Sequence, residues 1–133
     1  HFPDCAPLSR PLTAIGVSSN DGEIMGVAIF HNFRQNDIEI TFITATQRWA
    51  TPGNIRGILS YPFTQLGVKR MTAITTKSNK KARKFMTGLG FRLEGVHPYA
   101  AKDGTSSCTY GLYPENAEKW LNGQISAITA TPS

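Results

Sequence analysis

Cysteine is scarce in this chain: 133 residues hold two, Cys5 and Cys108. They stand too far apart for a metal-ligand or redox spacing, and two thiols give no disulfide framework. A reduced, cytoplasmic setting is the simpler expectation. No apolar run reaches the roughly 18 residues that a membrane-spanning helix needs, and no signal peptide is read at the start. The chain begins at His1 rather than Met, so a short upstream piece is expected to be missing or processed. Three histidines and two cysteines offer no Ser/His/Asp or Cys/His arrangement and no metal spacing. Charged residues make up 17% and hydrophobic residues 40%, proportions that exclude disorder as the default and allow one domain with its own core.

What is present in excess is positive charge. Fourteen Lys and Arg against nine Asp and Glu give a net charge of +5, which favours an anionic partner without naming it. The charge is concentrated in "SNKKARKFMTGLGFRLEG" (78–95) and just before it. Lys77, Lys80, Lys81, Arg83 and Lys84 fall within eight positions. They read either as a solvated helix face or as a patch for a phosphorylated partner.

Hydrophobic periodicity gives the order βββαβαββα. An irregular opening segment with Pro3, Pro7 and Pro11 (1–11) precedes a strand at 12–19, a tight turn "NDG" (20–22) and a second strand at 23–33. After "RQND" (34–37), "IEITFITAT" (38–46) alternates as a third strand. Ile55, Ile58, Leu59, Phe63 and Leu66 repeat at helical spacing, with Pro52 near the start, Pro62 expected to bend the last turn and Gly67 as terminator. A strand at 68–76 follows. A helix over 78–89 is expected next, with Ser78 as N-cap, an apolar stripe of Ala82, Phe85, Met86 and Leu89, and Gly90 as terminator. The remainder reads as a hairpin around 102–104, a short helix at 115–121 and a flexible polar tail at 123–133. The fold class is mixed α/β, a sheet with helices packed on it.

The junction "TQRWATPGNIR" (46–56) runs from strand to helix through a short loop, which aims backbone N–H groups and the positive helix end at one point. Arg48 and Arg56 add charge, Gly53 permits close approach, and Thr51 and Asn54 supply short donors. The alternatives for this junction are an anion site and an ordinary strand–helix loop.

Together, "ILSYPFTQLGVKRMTAITTKSNKKARKFMTGLGFRLEG" (58–95) and "DGTSSCTYGLYPE" (103–115) resemble the GNAT superfamily of acyl-CoA N-acyltransferases. The likeness is greatest to the branch with ribosomal-protein N-terminal acetyltransferases and short phage and bacterial members. Asn79, Phe85, the Gly90-Phe91 pair and Glu94-Gly95 in that order carry it, and it runs from about Leu12 to Leu121, within a domain read as 12–122. The resemblance implies a GNAT fold with an abbreviated N-terminal region and acetyl-CoA as acyl donor, with no metal.

The donor is then expected in a cleft between strands 38–46 and 68–76. Its pantetheine arm would pair with backbone at Ile43 and Thr44. Its pyrophosphate would rest on Arg48, Trp49, Ala50, Thr51, Gly53 and Asn54, and its remaining groups near Asn79, Lys80 and Arg83. Glu39 sits where many members place a general base, and is otherwise an exposed strand residue paired with a cation. The tyrosine that many members use to protonate the thiolate would fall at Met86. Tyr99 and Tyr110 are the substitutes on hand, or else ordinary sheet tyrosines. The loop keeps one glycine, Gly53, with Trp49 and Pro52 where the family carries small residues and Arg48 to compensate.

The implied activity is acetyl transfer to an amine, a protein amine among the candidates. The acceptor side would be open or completed by a second subunit in a homodimer. The alternative is a GNAT-like module of little or no activity that binds CoA or a partner protein. Nucleic acid is not the expected partner, because Phe30, Phe33 and Phe42 alternate like core residues rather than a base-stacking platform.

Overall fold

The computed structural model describes residues 11–19, 21–44 and 47–122. Within them six strands and three helices follow the expected order: β1 (Pro11–Ser18), β2 (Ile24–His31), β3 (Asp37–Thr44), α1 (Pro52–Ser60), β4 (Arg70–Thr76), α2 (Lys80–Leu89), β5 (Arg92–His97), β6 (Ser107–Leu112) and α3 (Pro114–Leu121). Pro11, expected in the irregular opening segment, already belongs to β1. The rest of that segment, with Cys5, and the tail at 123–133 lie outside the described residues.

The strands form one sheet in the order β1-β2-β3-β4-β6-β5. Every neighbouring pair is antiparallel except β3 and β4, which run parallel. Alternation along the strands builds the core. Ala28 and Phe30, Ile38 and Ile40, Met71 and Ala73, and Cys108, Tyr110 and Leu112 join Ile55, Ile58 and Leu59 of α1, Met86 and Leu89 of α2, and Ala117 and Trp120 of α3 in one apolar cluster. All three helices therefore bury their apolar stripes against the same face of the sheet. Each fully buried large side chain there contributes about 1.5–3 kcal/mol. Polar contacts tie the helices together: Trp120 Nε1 donates to Leu89 O at 2.9 Å, and Arg56 Nε to Trp120 O at 3.3 Å.

Three local details depart from the sequence expectation. The first helix ends at Ser60 and continues as a π-helical turn over Tyr61–Gln65, with Leu66 N bonded to Tyr61 O at 3.0 Å. Pro62 has no N–H and its ring would crowd the carbonyl one turn back, and widening the turn relieves both problems. The N-cap of α2 is Asn79, whose Oδ1 accepts from Ala82 N at 3.1 Å. Ser78 instead donates to Asp103 at 2.5 Å, anchoring the β5–β6 loop. Phe33 lies beyond the end of β2 and is exposed, not core.

Gly90 closes α2 as expected, with φ of +113°. A Cβ there would meet Asn116 O at 3.0 Å, so the position needs glycine for conformation and for space. Cys108 is a buried free thiol. Among the described residues no helix is long and apolar enough to cross a membrane, and no group of three or more His, Cys, Asp or Glu stands ready to hold a metal.

Candidate functional site

The parallel pair β3–β4 holds register from Asp37↔Arg70 to Ile40↔Ala73 and then parts. β3 continues to Thr44 still paired with β2, and β4 continues to Thr76 still paired with β6. The sheet therefore opens as a V after Ile40 and Ala73, and the backbone of Thr41–Thr44 on the β4 side has no strand partner among the described residues. Such edges accept an extended ligand as an added strand. Helices begin beyond both arms, as at the switch points where α/β sheets bind ligands.

Each helix start has nearly exhausted its own donors. In α1, Pro52 has no N–H, Thr51 Oγ1 accepts from Asn54 N at 3.2 Å, and Ile55 N reaches Thr51 O at 2.9 Å. Among the described residues this leaves Gly53 N–H as the donor of the first turn that the helix does not use. Gly53 is exposed, and a Cβ there would meet nothing within 4 Å. In α2, Lys80 N bonds Ser78 O, Ala82 N bonds Asn79 Oδ1 and Arg83 N bonds Asn79 O, which among the described residues leaves Lys81 N–H. Asn54 is also engaged: its Nδ2 donates to Trp49 O at 2.8 Å. Arg48 is exposed on the 3₁₀ turn Gln47–Trp49.

Trp49 is 2% exposed, a core side chain rather than a ligand contact. Its ring stands 5.6 Å from Phe42 of β3 and 5.4 Å from Phe85 of α2, and Phe42 meets Phe85 edge-on at 5.6 Å. These three rings wedge between the parting strand and α2 and wall the V on its helix side. Ala50 packs beside them, partly buried. A bulky aromatic where a glycine-rich loop would wrap phosphate thus has a structural reason.

The two most prominent cations of the basic helix are directed elsewhere. Arg83 donates through Nε to Tyr110 Oη at 3.2 Å and through its guanidinium to Lys77 O at 3.2 Å. It shares an open groove of about 520 Å³ with Lys80, Lys84, Thr87, Gly88 and Tyr110. Residues two apart on a helix lie about 200° apart, so this groove occupies the flank of α2 away from Phe85 and the V. Lys81, one turn before Phe85, is the cation on the Phe85 flank. The structure therefore sets Ile43 and the backbone of Thr44 on the arm of β3 beyond its register with β4, Thr51, Gly53 and Asn54 at the start of α1 and Asn79 at the start of α2, while Lys80 and Arg83 line a groove on another flank of α2. Tyr110 is a buried sheet tyrosine, and Tyr99 is a turn residue 87% exposed.

On the face opposite the helices, β3 presents Asp37, Glu39, Thr41 and Ile43. Glu39 accepts from Asn32 Nδ2 at 2.5 Å, lies 3.4 Å from His31 Nδ1, and has Arg34 at 3.9 Å. His31 Nε2 is 3.0 Å from Thr41 Oγ1. Burial pushes the His31 pKa down, against the pull of the Glu39 charge. Nearby, Arg70 binds Glu94 at 2.7 Å and Asp37 at 3.4 Å, Thr72 donates to Asp37 at 2.8 Å, and Tyr113 donates to Glu94. The hydrogen bonds from Arg70 and Tyr113 hold the Glu94 carboxyl below its ordinary range. Sequence reasoning missed the neighbours of Glu39: counting back from the 34–37 turn sets Asn32 opposite Glu39, whereas the observed register is one residue off and sets His31 there.

This architecture is that of solved GNAT acetyltransferases. A spermidine N-acetyltransferase from Vibrio cholerae superposes with a TM-score of 0.67 at 19% identity, covering 84% of this chain and 69% of that one. A GNAT-family acetyltransferase from Bacillus anthracis gives 0.62 at 17%, over 74% and 64% of the two chains. A ribosomal-protein-S5-alanine acetyltransferase from Vibrio fischeri gives 0.60 at 17%, over 73% and 58%. The chain thus spans less than two thirds of the latter two proteins. No protein-family model and no curated protein matches it. The chain has the GNAT fold.

Proposed function

We propose that this protein is an acetyl-CoA-dependent N-acetyltransferase, built as a GNAT-like unit over residues 12–122 and working in the cytoplasm. The observation that carries the reading is the parting of β3 and β4 after Ile40 and Ala73, with a helix start beyond each arm. The pantetheine arm of the donor pairs with the free edge of β3 at Ile43 and Thr44. Gly53 N–H and Arg48 take the pyrophosphate, and Lys81 N–H and Asn79 Nδ2 face the donor from the opposite arm. The acceptor amine attacks the thioester carbonyl directly, while backbone N–H near Ile43 polarises it. Glu39 is the carboxylate whose charge draws the amine's proton, directly or through the groups beside it. Met86 cannot donate, so the CoA thiolate takes its proton from solvent. The acceptor side admits a polyamine or a protein amine, from within one chain or across a homodimer.

The test is release of CoA thiol from acetyl-CoA with a panel of amines: a polyamine, an alanine-terminated peptide and a lysine peptide. Turnover that depends on one class is expected; absence of turnover with all three would contradict the reading. Gly53→Glu places bulk and negative charge where phosphate should lie, at a position with open space. It should abolish CoA binding by calorimetry and leave the circular dichroism unchanged.

A second reading, a CoA-binding or partner-binding module without catalysis, is favoured by one observation. Among the described residues the first turn of α1 keeps a single uncommitted N–H. Binding of CoA without thiol release would decide for it.

A further inference from the structure

One buried polar side chain is left unaccounted for by the core. His31 is 5% exposed, lies outside the apolar cluster, and its Nδ1 has no hydrogen-bond partner among the described residues. Leaving a buried donor or acceptor unpaired costs about 1–3 kcal/mol, so the position calls for an explanation. Glu39 Oε2 stands 3.4 Å from that nitrogen, outside hydrogen-bond geometry but within Coulombic reach. A carboxylate beside Nδ1 favours the tautomer with the proton there. Nε2 is then an acceptor, and Thr41, at 3.0 Å, donates to it. Carboxylate, imidazole and hydroxyl follow one another in the order that activates a hydroxyl in hydrolase triads.

The placement of the three groups matters as much as their order. Glu39 lies in the paired part of β3; Ile40 is the last residue in register with β4, and Thr41 is the first beyond it. Thr41 is partly exposed on the same face as Ile43, whereas His31 is buried. A molecule in the V can touch Thr41 but not His31, and Glu39 is already held by Asn32. The charged groups facing His31 among the described residues are Glu39 on β3 and Arg34 on the β2–β3 loop.

We propose that Thr41, His31 and Glu39 form a proton relay that draws the acceptor amine's proton out of the cleft. The proposal rests on the acetyltransferase reading above. As the nitrogen–carbon bond forms and the carbon–sulfur bond breaks, the amine proton passes to Thr41 Oγ1 while the hydroxyl's own proton passes to His31 Nε2. CoA leaves as the thiolate. The imidazolium is held by the Glu39 carboxylate and then returns its proton to solvent by the same path. Thr41 touches the substrate; His31 acts through it, and burial keeps the ring neutral and ready to accept.

The experiment is the pH–rate profile of CoA-thiol release for the wild type, His31→Gln, Thr41→Val and Thr41→Ser, with acetyl-CoA affinity followed by calorimetry. Near neutral pH, His31→Gln and Thr41→Val should each lose about 100-fold in kcat, with acetyl-CoA affinity unchanged and the acidic limb of the profile displaced toward the amine's own deprotonation. Thr41→Ser, which keeps the hydroxyl, should recover at least about tenfold over Thr41→Val. Imidazole nitrogen shifts, read by NMR without substrate, should show the Nδ1–H tautomer, and Glu39→Gln should weaken that preference. A working wild type whose profile survives His31→Gln and Thr41→Val, or an Nε2–H tautomer, would overturn the relay alone. A wild type that releases no thiol with any amine would overturn the acetyltransferase reading and the relay with it.

Discussion

Strand β3 sends Ile38, Ile40 and Phe42 to one side of the sheet and Asp37, Glu39 and Thr41 to the other, and the two sides differ in kind. The helix side is continuous apolar packing from Phe30 to Trp120, closed at the V by Phe42, Trp49 and Phe85. The opposite side is a chain of polar contacts from Thr41 through His31 and Glu39, and from Asp37 through Arg70 to Glu94. One side holds the strands in place; the other presents titratable groups beside the point where they part. Side chains one residue apart on the same strand can therefore carry stability and chemistry separately.

Substitutions that address one face at a time test that separation. The largest effect is expected from Phe30→Ala, which empties a fully buried site packed 5.0 Å from Tyr61. It should remove about 3–5 kcal/mol of stability by denaturant titration, with activity lost only in step with unfolding. Glu39→Gln on the other face should do the reverse: a fall in acetyl transfer on the order of 100-fold with acetyl-CoA affinity preserved. A Glu39→Gln protein that turns over normally would break the division of labour at its centre.

Arg70→Ala comes next. It severs contacts to Asp37, Glu94 and the Tyr113 hydroxyl, but the side chain is 32% exposed. After screening, the expected loss is about 1 kcal/mol. The smallest effect is a pH slope. His31 has a folded-state pKa below its ordinary 6.5, so on acidification the unfolded chain takes up its proton before the native one does. Stability should therefore fall as pH drops through 6.5 toward the lower folded value. His31→Gln should flatten that part of the curve, as measured by thermal midpoint against pH.

The sequence revealed the frame because the frame rests on local periodicity. The alternation of Ile38, Ile40 and Phe42, the stripe of Ala82, Phe85, Met86 and Leu89, and the terminators Gly67 and Gly90 each signal an element without reference to the rest of the chain. Register and rotation were harder to read. Trp49 sits in a polar-looking loop, and its burial depends on rings from β3 and α2 far along the chain. Lys80 and Arg83 belong to the expected basic helix, yet the phase of its apolar stripe turns them from the V toward Tyr110. Thr41 and His31 meet diagonally across the β2–β3 hairpin, so their contact appears only once the pairing of His31 with Glu39 is known. Pro62 signals an irregular last turn, and the width of that turn, π-helical over Tyr61–Gln65, was not legible in the sequence.

Calorimetric titration of acetyl-CoA into the wild type and into Gly53→Glu tests the central claim most directly. The account predicts binding in the micromolar range for the wild type and none for the variant, with both proteins folded. Absence of heat at millimolar acetyl-CoA, or equal binding by the two proteins, would contradict it.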